Sequence, residues 1–444
     1  MRLVTPPLVI NEGDNFTNDI FEREKFAIAL TNVIKNSSDP MVIGLDGKWG
    51  EGKSTFVKMW QQYLNSENMP AVYIDAFSND HADNAFMVVA SAITDYVKAH
   101  AEPEKTKELI NKSIKVGAQL LTWSAKLSIK ALTLGLVKGS DIEELSNIGD
   151  DISESFSSVA EKLIEEQLKN HKQDVKNIEA FKEFLSTLPE ILSRTGDALP
   201  LTIIIDELDR CRPSFAIEML EKIKHLFSVK KITFVLVMNK KQIEESIKST
   251  YGANIDAHAY LQKFISIETS LPRRKDEYKN DTSIYCSRLQ AIHEIPTYGN
   301  SDLQELTSML GNYFDLTLRQ LEKVYSNIAL IYLSMTRPEN THVIFASFFS
   351  VLKVVNPDLF MRIYRDKTNL NEILEVLDNS NSEQQMTYMT IIKEGLTFCF
   401  STDSEYNNLP ADHRARRLNQ MPYSRTRKHV ALEYIEPLVQ FSIL

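Results

Sequence analysis

Two patterns of apolar residues alternate along the first 272 residues of the chain. Short apolar runs occur at Met41–Leu45, Ala71–Phe77, Leu201–Ile205 and Ile232–Met238, and each predicts a β-strand. The last two runs are nearly continuous, which is typical of strands that a parallel sheet buries on both faces. Between the runs, apolar residues recur every three or four positions and predict helices. The alternation predicts an α/β fold built around a parallel sheet.

Helical patterns occupy the rest of the chain. From Arg273 to the last residue the pattern is almost entirely helical, and a second long helical stretch interrupts the α/β region. We therefore predict a leader over residues 1–18 and an α/β core over residues 19–272. The core carries a helical insertion over about 101–195, and residues 273–444 form a helical lid and tail.

A glycine-containing loop joins the first predicted strand to the helix that follows it. Its sequence is Gly47-Lys48-Trp49-Gly50-Glu51-Gly52-Lys53-Ser54, which fits the P-loop pattern G-x-x-x-x-G-K-[ST]. A backbone that wraps a phosphate takes conformations that a Cβ would forbid, and Gly47 and Gly52 permit them. Lys53 is expected to reach the β- and γ-phosphates, and Ser54 to place its hydroxyl on Mg²⁺. The predicted nucleotide-binding residues here are Gly47, Trp49, Gly50, Gly52, Lys53, Ser54 and Thr55.

Two acids follow the apolar run at 201–205. Asp206 and Glu207 stand at the carboxyl end of a strand, where parallel sheets bind ligands. We expect Asp206 to hold Mg²⁺, directly or through water, and Glu207 to polarise the water that attacks the γ-phosphate. The second acid favours hydrolysis over transfer of the phosphoryl group to a substrate. At the end of the next strand, Asn239 is placed to sense the γ-phosphate.

One arginine of the helical region is a candidate for the same site. Arg319 opens a helix, and Thr317 just before it is a residue type that caps helix N-termini. As a lid arginine, Arg319 would stabilise negative charge in the transition state. The alternative is an ordinary surface arginine. The predicted catalytic residues are therefore Lys53, Glu207 and Arg319.

Composition and charge indicate a globular protein of ordinary balance. The fraction of hydrophobic residues is 43%, and the net charge is −10. The acidic total argues against a surface devoted entirely to nucleic acid, but not against a local basic patch. The three cysteines are scattered, which favours a reducing compartment without a disulfide framework. The N-terminal residues lack the apolar core of a signal peptide. Together these features predict a cytoplasmic location.

A basic, otherwise apolar helical stretch covers residues 112–138. Its longest charge-free run, Val116–Ala125, is too short for the ~20 apolar residues of a membrane span, so no transmembrane helix is predicted. Its polar residues form one stripe with a basic character. Such a helix either lies on an anionic membrane surface or packs on its own protein or a neighbouring subunit.

A second basic stretch lies near the end, over residues 413–429. Its cations are Arg414, Arg416, Arg417, Arg425, Arg427 and Lys428. They either bind nucleic acid or phospholipid headgroups, or form a solvated face that pairs with the acidic body of the protein.

In chain order, the motifs resemble those of the KAP family of P-loop NTPases. The matching stretches are Asp19-Ile20-Phe21-Glu22-Arg23, Leu45 to Thr55 with its tryptophan, Ile205-Asp206-Glu207-Leu208-Asp209-Arg210-Cys211-Arg212-Pro213, Tyr260-Leu261-Gln262-Lys263 and Leu318-Arg319-Gln320-Leu321. The resemblance covers roughly residues 19–330. The family often carries membrane spans in its insertion, and none is evident here. Where the family commonly has Asp-Asp, this chain has Asp206-Glu207, so the second position is still an acid. Where the family often has Asp-Arg, this chain has Asn239-Lys240, so a charge is lost at that position.

The resemblance implies an ATP-driven conformational switch with Mg²⁺ as cofactor, acting in defence against phage or in signalling near membranes. It also implies a homo-oligomer or a partner protein, because such enzymes usually complete their site with a neighbour's arginine; Arg210 and Arg212 are candidates. The lack of a guanine-reading Asn/Thr-Lys-x-Asp motif favours ATP over GTP. Two alternatives are a nucleic-acid-associated motor or repair ATPase that uses the basic tail, and a scaffold that holds nucleotide without turnover.

Overall fold

A computed structural model gives the three-dimensional structure of the chain. It describes residues 1–11, 13, 15–37, 39–82, 85–100, 179, 181–192, 198–226, 228–274, 280–296, 303–336, 342–377, 383–410, 413 and 426–441. The chain divides into two compact units. The sheet unit consists of Ile10–Gly47 and Lys53–Pro272, and the helical unit consists of Met1–Val9, Lys48–Gly52 and Arg273–Leu444.

A five-stranded sheet forms the centre of the sheet unit. Its strands are β1 (Met41–Asp46), β2 (Ala71–Asp75), β3 (Leu201–Asp206), β4 (Ile232–Met238) and β5 (Ile267–Ser270). They lie in the order β2-β3-β4-β1-β5, and every neighbouring pair is parallel. The predicted parallel α/β sheet is therefore confirmed. Because β4 lies between β1 and β3, the strand that leads into the P-loop does not touch the strand that ends in the acids.

Helices cover both faces of this sheet. They are α1 (Glu24–Asn36), α2 (Lys53–Ser66), α3 (Ala85–His100), α4 (181–191), α5 (Pro213–Ile223), α6 (Lys240–Tyr251) and α7 (Ala257–Leu261). Alternate strand residues enter two cores, since successive side chains of a strand point to opposite faces. Ile204 packs in one core with Phe56 and Trp60, whereas Ile203 and Ile205 enter the other. Burial on both faces explains why the strand sequences are continuous apolar runs.

The helical unit has its own apolar core. Its helices are α8 (Asp281–Ile292), α9 (Leu303–Tyr313), α10 (Leu318–Ser334), α11 (Val343–Val355), α12 (Pro357–Tyr364), α13 (Leu370–Glu375), α14 (Glu383–Phe400), α15 (Asp403–Asn407) and α16 (Arg427–Gln440). Tyr325, Phe348, Phe349 and Tyr434 are buried in that core. The predicted cap of α10 is confirmed, because Thr317 and Gln320 form a reciprocal capping box.

Some boundaries differ from the sequence prediction. β2 ends at Asp75, not at Phe77, because the Asp75 carboxylate accepts a hydrogen bond from the Ser78 N–H (2.8 Å) and the chain turns there. Val33 fits the apolar spacing of helix α1 but is 44% exposed. The predicted insertion lies largely outside the described residues, although α4 packs in the sheet unit's core through Leu185 and its neighbours. In the described ranges, every helix is too short or too polar to cross a bilayer.

Candidate nucleotide-binding site

The P-loop joins β1, which ends at Asp46, to α2, which begins at Lys53. Two of its glycines have positive φ, +84° at Gly50 and +83° at Gly52, a backbone region where L side chains are strained. The prediction of a glycine-only conformation is right for Gly52. It is wrong for Gly47, which is absent from the positive-φ glycines and whose N–H donates to the Met238 carbonyl (3.2 Å), continuing the β1–β4 pairing. The expected strand, loop and helix are therefore present. The two loop glycines with positive φ are Gly50 and Gly52, instead of the predicted Gly47 and Gly52.

Lys53 is the first residue of α2 and is only 8% exposed. Its ammonium donates to the Gly47 carbonyl at 2.5 Å, so the side chain folds back onto the start of the loop. A lysine is rarely this buried without a partner, because its charge has to be compensated. The arrangement places a positive charge beside the loop that the motif predicts to bind phosphate.

Asp206, the last residue of β3, is a carboxylate that is only 1% exposed. It accepts hydrogen bonds from the Tyr73 hydroxyl (2.9 Å), from the Glu207 N–H (2.8 Å) and from the Ser54 side chain. Burial raises the pKa of Asp206, and these hydrogen bonds and the charge of Lys58 oppose that rise. Ser54 and Asp206, which the sequence analysis expects at Mg²⁺, are therefore hydrogen-bonded to each other, and their role at a metal stays a prediction.

The Ser54–Asp206 contact fits a magnesium ion. Mg²⁺ prefers oxygen ligands and is usually held by one or two protein groups, with waters and substrate phosphates completing its shell. A serine hydroxyl and a buried carboxylate supply that kind of ligand, and sulfur and nitrogen ligands are lacking from the pair. Ser54 and Asp206 are thus the residues that would hold the ion.

Glu207 has an unusual backbone conformation. Its φ of 59° and ψ of 28° lie in the left-handed region, which costs a non-glycine residue about 1–2 kcal/mol. The short turn Leu208–Arg210 follows it, and the Arg210 guanidinium pairs with its carboxylate at 3.1 Å. Burial raises the pKa of Glu207, and the charge of Arg210 opposes the rise. A strained residue that carries a perturbed carboxylate is a frequent property of functional sites.

Asn239 follows β4, the strand between β1 and β3. The sheet order therefore places Asn239 between the end of the P-loop strand and the end of the acidic strand. The next residue, Lys240, is directed elsewhere, because its ammonium pairs with Glu268 at 2.6 Å and its N–H donates to Asp46 at 2.8 Å. The Lys240 side chain is therefore paired with Glu268. Among the described residues, the Asn239 side chain has no such partner.

The tip of the P-loop and Arg319 both belong to the helical unit. The Arg319 N–H donates to the Gly50 carbonyl at 3.2 Å, and a Cβ built on Gly50 would lie 2.5 Å from the Arg319 Cβ. Lys48 pairs with Asp315 at 2.5 Å, and Asp315 also pairs with Arg273 at 3.1 Å. Arg319 therefore contacts the loop through its backbone, while its side chain is exposed. Trp49 is 44% exposed at the same tip.

The remaining arginine candidates have partners within the chain. Arg210 pairs with Glu207, and the Arg212 guanidinium donates to the Asp80 carbonyl. The predicted helix at 112–138 lies outside the described residues, as does most of the basic stretch 413–429. Within the described end of that stretch, Arg427 pairs with Asp403 at 2.7 Å and its guanidinium lies 4.0 Å from the Tyr406 ring centroid. The two interpretations of this stretch stay predictions, because Arg414, Arg416, Arg417 and Arg425 lie outside the described residues.

Two residues beside Asp206, Tyr73 and Lys58, were missed in the sequence, and so was Asp315 beside Lys48 in the helical unit. Tyr73 reaches Asp206 because β2 pairs with β3, whereas the charge of Lys58 acts on Asp206 from α2. Asp315 pairs with Lys48 from a distant part of the chain. No motif marks these positions. A correct strand order would have pointed to Tyr73, which lies two residues before the end of β2.

One comparison with known proteins identifies the family of the chain. A family model described as the KAP family P-loop domain matches residues 23–335, well over half of the chain. No curated protein matches the chain. Among solved structures, the ORC2 protein of Aeropyrum pernix, in ADPNP–ADP complexes, aligns over 97% of this chain and 96% of its own, with 13% identity and a TM-score of 0.36. A similarity at that score supports no statement about function.

Proposed function

This chain belongs to the KAP family of P-loop domains, and on that premise we propose that it binds ATP with Mg²⁺ and hydrolyses it. Membership of the family supports nucleotide binding by a P-loop NTPase. Hydrolysis and the choice of ATP are our proposal. The contact between Ser54 of the P-loop helix and Asp206 of the acidic strand is the observation that supports the proposal most directly. It joins, within one unit, the two motifs from which the proposed nucleotide and metal site is built.

The residues of the chain have separate tasks in this proposal. The P-loop backbone and the Lys53 ammonium bind the phosphates, because a compact positive charge stabilises the γ-phosphate as its charge develops. Ser54 and Asp206 are the residues that would hold Mg²⁺, and the ion when bound would neutralise phosphate charge. Glu207 orients the attacking water and accepts its proton. Asn239 senses the γ-phosphate, and Arg319 contributes to the transition state only if its exposed side chain turns toward the nucleotide.

Glu207 requires a change of partner for this task. Both of its carboxylate oxygens lie 3.1 Å from Arg210 Nη1, so the whole group faces a cation. Catalytic hydrogen bonds are often formed only in the complex with substrate, and an exposed face of the pair allows water to approach. Hydrolysis would then change the contacts that the P-loop tip makes within the helical unit. This change of contacts is the proposed conformational switch. A homo-oligomer or a partner protein is expected to supply a further arginine.

The test is ATP binding and hydrolysis by the purified protein beside two variants. Lys53→Ala removes a charged phosphate contact and is expected to weaken binding of a fluorescent ATP analogue by about 10- to 100-fold. Glu207→Gln keeps the shape of the side chain but cannot accept the proton, so turnover falls by about 100-fold or more while binding is retained. Lys248→Ala and Glu245→Gln are matched controls, because they form an exposed ion pair on α6.

The outcomes separate the alternatives. Normal nucleotide binding with no hydrolysis in the wild type, with or without DNA or RNA, would replace the ATPase by a nucleotide-dependent scaffold. Strong stimulation by nucleic acid would favour the motor or repair ATPase. Light scattering with and without nucleotide tests the oligomer. A role in defence predicts fewer phage plaques on bacteria that express the wild type than on bacteria that express Lys53→Ala.

A further inference from the structure

A phenol hydroxyl contacts the acid that is proposed to hold the metal. Tyr73 lies on β2, opposite Ile204, and Asp75 lies opposite Asp206 in the same parallel register. Alternate residues of a strand share a face, so Tyr73 and Asp206 are diagonal neighbours on one side of the sheet. Diagonal neighbours are about 7–8 Å apart at their backbones, a distance that only long or aromatic side chains bridge. The Tyr73 hydroxyl bridges it and donates to Asp206 Oδ2 at 2.9 Å.

The other oxygen of the same carboxylate is also held. Asp206 Oδ1 accepts the N–H of Glu207 at 2.8 Å, and that N–H belongs to the residue in the left-handed conformation. Each carboxylate oxygen has two lone pairs, so one donor on each oxygen fixes the plane of the group and leaves lone pairs for further partners. Ser54 is one such partner. Tyr73 and the Glu207 backbone together determine how Asp206 faces Ser54.

Tyr73 also contacts the helix that carries Ser54. The Lys58 ammonium lies 5.2 Å from the centroid of the Tyr73 ring, a cation–π distance. Lys58 is one helical turn after Ser54 on α2, and its charge stabilises the ionised form of Asp206. The Tyr73 side chain thus joins β2, β3 and α2 at one point. Phenylalanine would keep the ring contact, but only tyrosine also supplies the donor.

We propose that Tyr73 is a positioning residue for the metal: its hydroxyl holds the Asp206 carboxylate in the orientation in which it and Ser54 bind Mg²⁺ together. This rests on the proposed function, because it concerns the ion that the proposed ATPase uses. Residues that orient metal ligands are commonly worth 10- to 100-fold in metal affinity. The role predicts that Tyr73 matters for the metal and not for the nucleotide alone.

The experiment compares Tyr73→Phe with the wild type in two binding measurements. Mn²⁺ binding to the complex with a non-hydrolysable ATP analogue is followed by electron paramagnetic resonance, and analogue binding is also measured with excess EDTA. Tyr73→Phe is expected to weaken Mn²⁺ binding by about 10- to 100-fold and to leave the metal-free affinity unchanged. Tyr63→Phe is the matched control: Tyr63 is a half-buried tyrosine of α2 whose ring packs on Phe16, away from Asp206.

A second background shows whether Tyr73 acts through Asp206. Asp206→Asn should weaken Mn²⁺ binding by itself, and Tyr73→Phe added to it should have no further effect. Equal Mn²⁺ affinity in Tyr73→Phe and the wild type overturns the proposal, and so does an equal loss of metal-free nucleotide affinity, which would indicate a packing role. Absence of Mn²⁺-dependent nucleotide binding in the wild type instead overturns the proposed function itself. A melting temperature for Tyr73→Phe close to that of Tyr63→Phe shows that the fold is retained.

Discussion

Gly50→Ala should release the tip of the P-loop from the start of α10. Alanine at φ +84° costs about 1–2 kcal/mol, and its Cβ would lie 2.5 Å from the Arg319 Cβ, an overlap that costs about 1–3 kcal/mol more. Two contacts of the tip contribute less than this strain. The Arg319–Gly50 hydrogen bond contributes about 1 kcal/mol and the exposed Lys48–Asp315 pair at most about 1 kcal/mol. We therefore expect the strain to break both contacts.

Hydrogen exchange of the Arg319 amide measures this detachment. Arg319 lies in the first turn of α10, where backbone N–H groups have no acceptor within the helix, so the Gly50 carbonyl provides its protection. Loss of about 1.4 kcal/mol of protection corresponds to roughly tenfold faster exchange. Exchange of the peptide that contains Arg319 is read by mass spectrometry. Gly13→Ala is the control, because Gly13 has φ +86° and no atom within 4 Å of its added Cβ.

Two results would contradict the reasoning. Unchanged exchange at Arg319 in Gly50→Ala would mean that the loop tip does not provide its acceptor. Equal acceleration in Gly13→Ala would mean that the effect is general destabilisation and not steric release. Faster exchange confined to Gly50→Ala is the expected outcome, and it should be accompanied by weaker nucleotide binding because the loop loses its preformed shape.

Further predictions concern stability. Thr317→Ala removes the capping box of α10 and should lower the free energy of unfolding by about 1 kcal/mol, whereas Thr317→Ser should retain it within a few tenths; urea unfolding compares the two. Trp60→Ala empties a fully buried site in the sheet unit and should cost about 3–5 kcal/mol, seen as a lower calorimetric melting temperature. Burial lowers the pKa of His293 below its ordinary 6.5, so the unfolded chain binds the proton more readily than the folded chain. The free energy of unfolding should therefore be highest above about pH 6.5 and should fall as the pH drops below that value. His293→Gln should flatten the pH dependence of the melting temperature. His342 is shifted in the same direction, so the flattening should be partial.

The sheet could be predicted because its signals are local. Continuous apolar runs at β3 and β4 reflect burial on both faces, and the P-loop motif requires a strand before it and a helix after it. The end of β2 was missed because it depends on one hydrogen bond to the Asp75 carboxylate. Similarly, Val33 fits the apolar spacing of α1 but is exposed. The spacing of apolar residues shows where the buried face of a helix lies, but not how wide that face is.

The candidate site was predictable in its motif residues and not in their surroundings. Lys53, Ser54, Asp206 and Glu207 were found because nucleotide chemistry requires those side chains at loop and strand ends. Their assignment to catalysis, metal and nucleotide stays a prediction until the variants are measured. The surroundings of Lys240 were also not predictable, because its partner Glu268 lies on β5, 28 residues further along the chain.

By itself, the sequence determined the parallel α/β class, the P-loop, the acids after β3 and membership of the KAP family. Each of these features depends on patterns and motifs whose residues are close together along the chain. The tertiary structure decided the placement of β4 between β1 and β3, the contact of Tyr73 with Asp206, the left-handed backbone of Glu207 and the backbone contact of Arg319 with Gly50. The physical reason is that strand order and diagonal contacts join residues far apart in sequence. Hydrophobic periodicity specifies which face a residue occupies, but not which strand lies beside it.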